Sequence, residues 1–254
     1  WSEDTENQVI DVLMIGNSGC YYFTDELYAV ADAAGVQLNI HNIYAAGCTV
    51  EKHWTWLQED KAGYEQFWIS NGFGRFKHPD KLKLSAALPY CDWDVITLQQ
   101  ASPSSYQEDS YFPYIEELAD YVRYMCPKAK LLIHQTWGYE TGSERIERHG
   151  FRTYDEMFEQ VKKCYEKAAE AVDADGMLRC GEALQYALHH GAEKVHRDTF
   201  HAGLGLGRFI LALVWYGYIT GNDVSNVKFD RFDVEVTEEE YKIAIEAAKN
   251  VLAQ

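Results

Sequence analysis

Two short stretches of this chain hold residue types that could do chemistry together. Ser18 stands in Gly16-Asn17-Ser18-Gly19, directly after the apolar, β-branched run from Val9 to Ile15. A serine hydroxyl is inert at neutral pH unless a base lies within hydrogen-bond reach. The stretch His196-Arg197-Asp198-Thr199-Phe200-His201 offers one. In a turn or first helical winding, a spacing of three lets the Asp198 carboxylate meet the Nδ1–H of His201. A carboxylate there fixes the tautomer, leaves Nε2 free to take the serine's proton and stabilises the imidazolium that forms. Taken alone, Asp-x-x-His reads first as a cap beside a helix. Joined to a glycine-flanked serine at a strand end, it reads as a base and its orienter.

His41, His53, His78, His134, His149, His189, His190 and His196 compete with His201, but only His196 shares a short loop with a suitably placed acid. Cys20, two residues past Ser18, is set aside as a nucleophile because no cationic partner is near it in sequence. Attack on a carbonyl needs donors aimed at the oxygen that becomes charged. The backbone N–H groups of Ser18 and Gly47 are candidates. A side-chain amide of Gln99 or Gln100, with Gln100 preferred, is the third; strand-end capping is the plainer reading of that pair. Gln99, His134 and Trp137 are expected to face the substrate.

The surrounding elements must bring these residues together. Strands are expected at Val9–Gly16, Val36–Tyr44, Asp94–Gln100 and Leu131–Trp137, each an apolar run ending in polar or small residues. Helices are expected at Thr24–Ala34, around Trp54 and Leu57, at Lys81–Leu88, from Pro113, at Tyr154–Val172, Gly181–His190 and Ala202–Thr220. A closing helix should start at a Thr-x-x-Glu capping box at Thr237. An Asn-Gly dipeptide between aromatic runs suggests a small hairpin inserted near residues 64–80. Strands alternating with helices imply a mostly parallel sheet covered on both faces. Ser18, the Gly47 turn, Gln99, Gln100 and His134 would then converge at the carboxyl edge, where such sheets bind ligands.

The 254 residues carry 40 acidic and 23 basic side chains, a formal net charge of -17. Such a surface repels nucleic acid and anionic membranes, so neither is an expected partner. No apolar run approaches the ~20 residues that cross a bilayer. Six cysteines are scattered without a C-x-x-C pair, which argues against metal binding and a dense disulfide framework. No linker or repeat divides residues 1–254, so a single domain is expected. The chain begins at Trp1, as it would after removal of a signal peptide, and export to the periplasm or beyond is expected. Trp54, Trp56, Trp68, Phe73, Phe76, Tyr106, Tyr111, Trp137 and Tyr139 fall in polar loop stretches, where rings either anchor loops or stack on sugars.

Ile-Gly-Asn-Ser (15–18), Ala-Gly-Cys-Thr (46–49), Leu-Gln-Gln-Ala-Ser (98–102) and Asp-Thr-Phe-His (198–201) resemble, in order, the blocks of the SGNH hydrolases, or GDSL-type esterases. The resemblance spans nearly the whole chain. It is closest to a branch of SGNH-like proteins from gut and environmental Bacteroidetes that carries Gly-Asn-Ser and follows Asp-x-x-His with Gly-Leu-Gly-Arg, here 205–208. It implies a flavodoxin-like three-layer α/β/α fold and ester hydrolysis without a cofactor or metal. By that match Ser18 is the nucleophile, His201 the base, Asp198 its orienter and Gly47 the second oxyanion donor. The departure is at block three, where Gln99-Gln100-Ala101 replaces Gly-x-Asn. The expected activity is a carbohydrate O-acetylesterase. The alternatives are a glycan-binding protein on a retired hydrolase scaffold, or a lipase or thioesterase.

Overall fold

The computed structural model describes residues 9–70 and 74–254. The apolar runs form one seven-stranded sheet: β1 (Ile10–Gly16), β2 (Leu38–Tyr44), β3 (Glu65–Ser70), β4 (Gly74–Lys77), β5 (Val95–Leu98), β6 (Lys130–His134) and β7 (Gly176–Leu178). Their order is β4-β3-β2-β1-β5-β6-β7. The five strands from β2 through β7 are parallel, with Ile15 beside Ile43 on one side and Leu98 on the other. Strands buried on both faces read as continuous apolar runs, which is why Val12–Ile15 and Val95–Leu98 are wholly buried.

The hairpin expected near 64–80 is β3 with β4, antiparallel to each other, and β3 pairs antiparallel with β2. It therefore extends the central sheet. The Asn71-Gly72 dipeptide and Phe73 lie outside the described residues. Strand β7 escaped the sequence reading because three residues give no readable alternation.

Helices cover both faces. Helix α2 (Thr24–Ala33), α8 (Cys180–His189), α9 (Leu206–Thr220) and α10 (Glu238–Leu252) pack as one layer, with α3 (Val50–Gln58), α5 (Tyr114–Met125) and α7 (Tyr154–Ala171) among the other. Two short helices, α4 (Leu84–Ala87) and α6 (Glu144–Arg148), sit in connections. Helix α9 is apolar all round and Leu206 to Gly217 is entirely buried, as a helix inside a layer must be. It starts four residues later than its apolar run, because Ala202–Gly205 belongs to the preceding loop. Thr237 and Glu240 form the expected capping box on α10. Among the described residues, no helix is long and apolar enough to cross a membrane.

Candidate active site

The order β2-β1-β5-β6-β7 reverses direction between β1 and β5, and a crevice opens outside the carboxyl ends of two strands at such a switch. Ser18 and Gln99 follow those ends. Instead of an open turn, the chain after Gly16 winds immediately into a single helical turn, α1 (Ser18–Tyr21), with Asn17 as its N-cap. The Asn17 Oδ1 accepts from the Gly19 N–H at 2.9 Å and from the Gln99 Nε2 at 2.7 Å. Its Nδ2 donates to the Cys48 carbonyl at 3.1 Å. One buried amide thus ties together the loops that leave β1, β2 and β5, and Ser18 is held at their junction.

Glycines make this junction close enough. A Cβ on Gly19 would lie 2.4 Å from the Gln99 Nε2, and one on Gly16 would lie 2.6 Å from the Cys20 sulfur. The packing that positions Ser18 therefore requires that both lack side chains.

The histidine arrives from the other end of the chain. The Nδ1–H of His201 donates to Asp198 Oδ2 at 2.8 Å, while Asp198 Oδ1 accepts from the backbone N–H groups of Phe200 and His201, each at 2.8 Å. Partial burial pushes the Asp198 carboxyl up, but the His201 ring and the two backbone donors outweigh it and hold it well below the usual carboxylate range. Asp198 stays ionised and fixes the ring with Nε2 unencumbered.

The loop carrying the pair is pinned. The Arg197 N–H donates to the His201 carbonyl at 2.9 Å and the Gly203 N–H to the Val195 carbonyl at 2.7 Å. It docks on the segment after β6 by three further bonds. The His196 Nε2–H donates to Gly138 O at 2.8 Å, Trp137 Nε1–H to Phe200 O at 2.7 Å, and the Glu140 N–H to Thr199 O at 2.9 Å. His196, the nearest rival base, is spent on that docking.

Ser18 and His201 line one cleft together with Asn17, Gly19, Ser102, Thr136, Trp137 and Phe200. It holds about 250 Å³ of empty space, part of it open to solvent. A roomier groove of about 660 Å³, lined by Leu88, Trp93, Met125 and Cys126 among others, lies at the opposite, amino-terminal edge of the sheet. It contains no nucleophile beside an oriented base, so chemistry and not size selects the smaller cleft.

The other expected residues divide. Trp137 lines the cleft, although its N–H is used by Phe200 O. Gln99 is buried and works through Asn17, so it is corrected from a substrate contact to a support of the Ser18 turn. Gln100 is corrected too. Its Nε2 donates to the carbonyl and hydroxyl of Ser110, at 3.0 and 3.1 Å, and its Oε1 accepts from Val50 and Ala101, which leaves no N–H for an oxyanion. His134 is corrected to a core residue. It is fully buried between Phe23 and Trp215, and burial pushes its ring down to about 3. The side chain of the last residue of β6 turns into the helix layer, not toward the crevice. Gly47 has a left-handed φ of 58° in the loop after β2, one residue before the Cys48 carbonyl bound by Asn17, but it is not among the residues lining the cleft.

Sequence reasoning missed Ser102, whose hydroxyl pairs with that of Tyr139 at 3.0 Å, and Phe200, whose ring lies 3.7 Å from that of His201. Both were legible only as neighbours, Phe200 in Asp-Thr-Phe-His and Ser102 at the end of Leu-Gln-Gln-Ala-Ser. Tyr111 and Tyr139 are wholly buried anchors, and Trp68 stacks on His41 at the far side of the sheet. The two tyrosines hold loops, and Trp68 packs β3 against β2.

Residues 11–251 match the family model described as a domain of unknown function, DUF4886. The chain belongs to the DUF4886 family. A DUF4886 family protein from Bacteroides uniformis is 26% identical, with a TM-score of 0.90 over 97% of this chain and 95% of that one. Two more distant structures are a candidate SGNH hydrolase from Slackia heliotrinireducens and a candidate GDSL-like lipase from Parabacteroides merdae. The first is 18% identical with a TM-score of 0.59, over 82% of this chain and 98% of that one. The second is 15% identical with a TM-score of 0.55, over 84% and 95%. No curated protein matches the chain in sequence. At these identities the likeness is one of fold, and this DUF4886 chain has the SGNH/GDSL-type three-layer architecture.

Proposed function

We propose that this DUF4886 protein is a serine ester hydrolase that removes O-acetyl groups from a carbohydrate. The observation that carries the reading is the 2.8 Å bond between Asp198 and the His201 Nδ1–H on a ring that shares its cleft with Ser18. In the proposed reaction Ser18 Oγ attacks the acyl carbon and its proton passes to His201 Nε2. The same proton then goes to the leaving sugar oxygen as the ester bond breaks, leaving an acyl-enzyme. Water attacks the acyl carbon, gives a proton to Nε2, and acetate leaves as Ser18 recovers its hydrogen. The Ser18 and Gly47 N–H groups are the proposed donors to the charged oxygen.

The cleft is small, with about 250 Å³ of empty space against about 660 Å³ in the groove at the opposite edge, which supports a short acyl group. Trp137 on its wall supports a sugar as the alcohol, because sugar rings pack on aromatic faces, whereas the Phe200 ring already meets His201 and Arg145. The similar folds of the Slackia and Parabacteroides proteins, named as a hydrolase and a lipase, agree with ester chemistry. A second reading, a glycan-binding protein without turnover, is favoured by one observation: both N–H bonds of Gln100 are spent on Ser110.

A fluorophosphonate probe followed by mass spectrometry separates the two readings. Labelling at Ser18, with acetate release from p-nitrophenyl acetate and acetylated xylan that disappears in Ser18→Ala, is the expected result. Labelling at another serine, or sugar binding with no turnover, would overturn the hydrolase.

A further inference from the structure

Two arginines lie one aromatic ring away from His201, each without a carboxylate partner. The Arg145 guanidinium lies 4.0 Å from the centre of the Phe200 ring, and Phe200 both lines the cleft and packs on His201. The Arg197 guanidinium lies 4.2 Å from the centre of the Tyr22 ring, which meets His201 edge-on at 4.9 Å. Each charge is therefore one aromatic ring removed from the proposed base. Both side chains are exposed, and neither forms an ion pair among the described residues.

Their isolation is notable in a chain of net charge -17, where acids outnumber bases by 40 to 23. Of the acids nearest in sequence, Glu147 forms no ion pair with either arginine among the described residues, and three others are already committed. Glu140 pairs with Lys194, Glu144 with Arg148 and Asp198 with His201. The Arg145 Nε–H donates to the Thr199 hydroxyl at 2.9 Å, which orients the fork and leaves its two terminal nitrogens unbonded among the described residues. Stacking on an aromatic face holds a guanidinium in place while its edge stays available to an oxyanion. A strongly acidic surface repels an anionic ligand at long range, so binding one requires local cations at the site.

We infer that the substrate is an acylated acidic saccharide, whose carboxylate or sulfate is received by Arg145 and Arg197 while its ester enters the Ser18 cleft. The inference rests on the esterase reading for the word substrate, but its geometry concerns binding, and binding is measured separately. The probes are an acetylated oligogalacturonate, the same oligomer with its carboxylates methyl-esterified, and an acetylated oligosaccharide without carboxylates that carries sulfate groups. Calorimetry on Ser18→Ala at low ionic strength should find the acid bound about tenfold more tightly than its methyl ester, the scale of two partly exposed charge pairs. That preference should shrink with added salt and vanish when Arg145→Gln and Arg197→Gln are combined, with the folded state checked by circular dichroism. Preference for either the uronate or the sulfated form supports the inference and tells the two anions apart. Equal affinity for acid and methyl ester, or a preference that survives the double substitution, overturns it. Failure of the unmodified protein to release acetate from any of the three would instead count against the esterase reading, leaving the affinity comparison intact.

Discussion

Asp198 shows how much one side chain is asked to do. Its two oxygens receive the His201 ring and two backbone N–H groups, so it sets both the ring's tautomer and the shape of the loop beneath it. Asp198→Asn keeps the size of the group but presents an amide, which favours the wrong tautomer of the imidazole. On the esterase reading kcat for p-nitrophenyl acetate should fall by about 10³–10⁴ with KM little changed. A change confined to KM would mean that the carboxylate serves only the loop. Ser18, Asp198 and His201 were legible because a glycine-flanked serine after an apolar run, and an acid three residues before a histidine, are local patterns. Gln100 and His134 misled for a physical reason. Their positions at strand ends were read correctly, but the direction in which each side chain leaves the backbone depends on neighbours distant in sequence. Ser110 claims the one, and Phe23 with Trp215 enclose the other.

Among the elements, α9 governs the loop that bears the base. Its second residue, Gly207, lets the helix abut that loop: a Cβ there would lie 2.3 Å from the Val195 carbonyl oxygen, a backbone atom with no easy retreat. Arg208, the next residue, is buried and reaches the Tyr22 carbonyl and Asp233, so the same helix end also braces the segment after α1. Gly207→Ala should push Val195–Gly203 away from α9, lowering the thermal midpoint by several degrees and reducing esterase activity more than the lost stability alone explains. An unchanged midpoint and rate would show that the loop yields without cost. Long periodic segments such as α7 and α10 matched their sequence reading closely, as did β1, while β5 and β6 end two and three residues before the expected Gln100 and Trp137. The single turn α1 and strand β7 did not, because four and three residues are too few for a period to show.

Across the whole molecule, buried titratable groups set the response to acid. His41, His53 and His134 are fully or nearly fully buried, and desolvation pushes each down to about 3. Their folded pKa values lie below the unfolded value of about 6.5, so the stability they contribute is complete above that pH and is lost as the pH falls toward 3. Each costs about 1.4 kcal/mol per pH unit in that window. Glu26, buried near Arg208, acts in the opposite sense. Burial raises it to about 7, so stability is gained as the pH falls from 7 toward 4.5. Three histidines against one glutamate leave a net loss, and urea midpoints should drop between pH 6.5 and 5. His134→Phe should flatten that slope by about one proton; an unaltered slope would mean the ring is protonated in the native state. The sheet itself ends safely on both flanks. On one side β7 has only three residues, and on the other β4 has four and includes Arg75 and Lys77. A further strand docking from a second molecule would find too few free amides at one border and a pair of cations at the other. Concentrated solutions of the native protein should therefore resist the edge-to-edge joining that seeds fibrils.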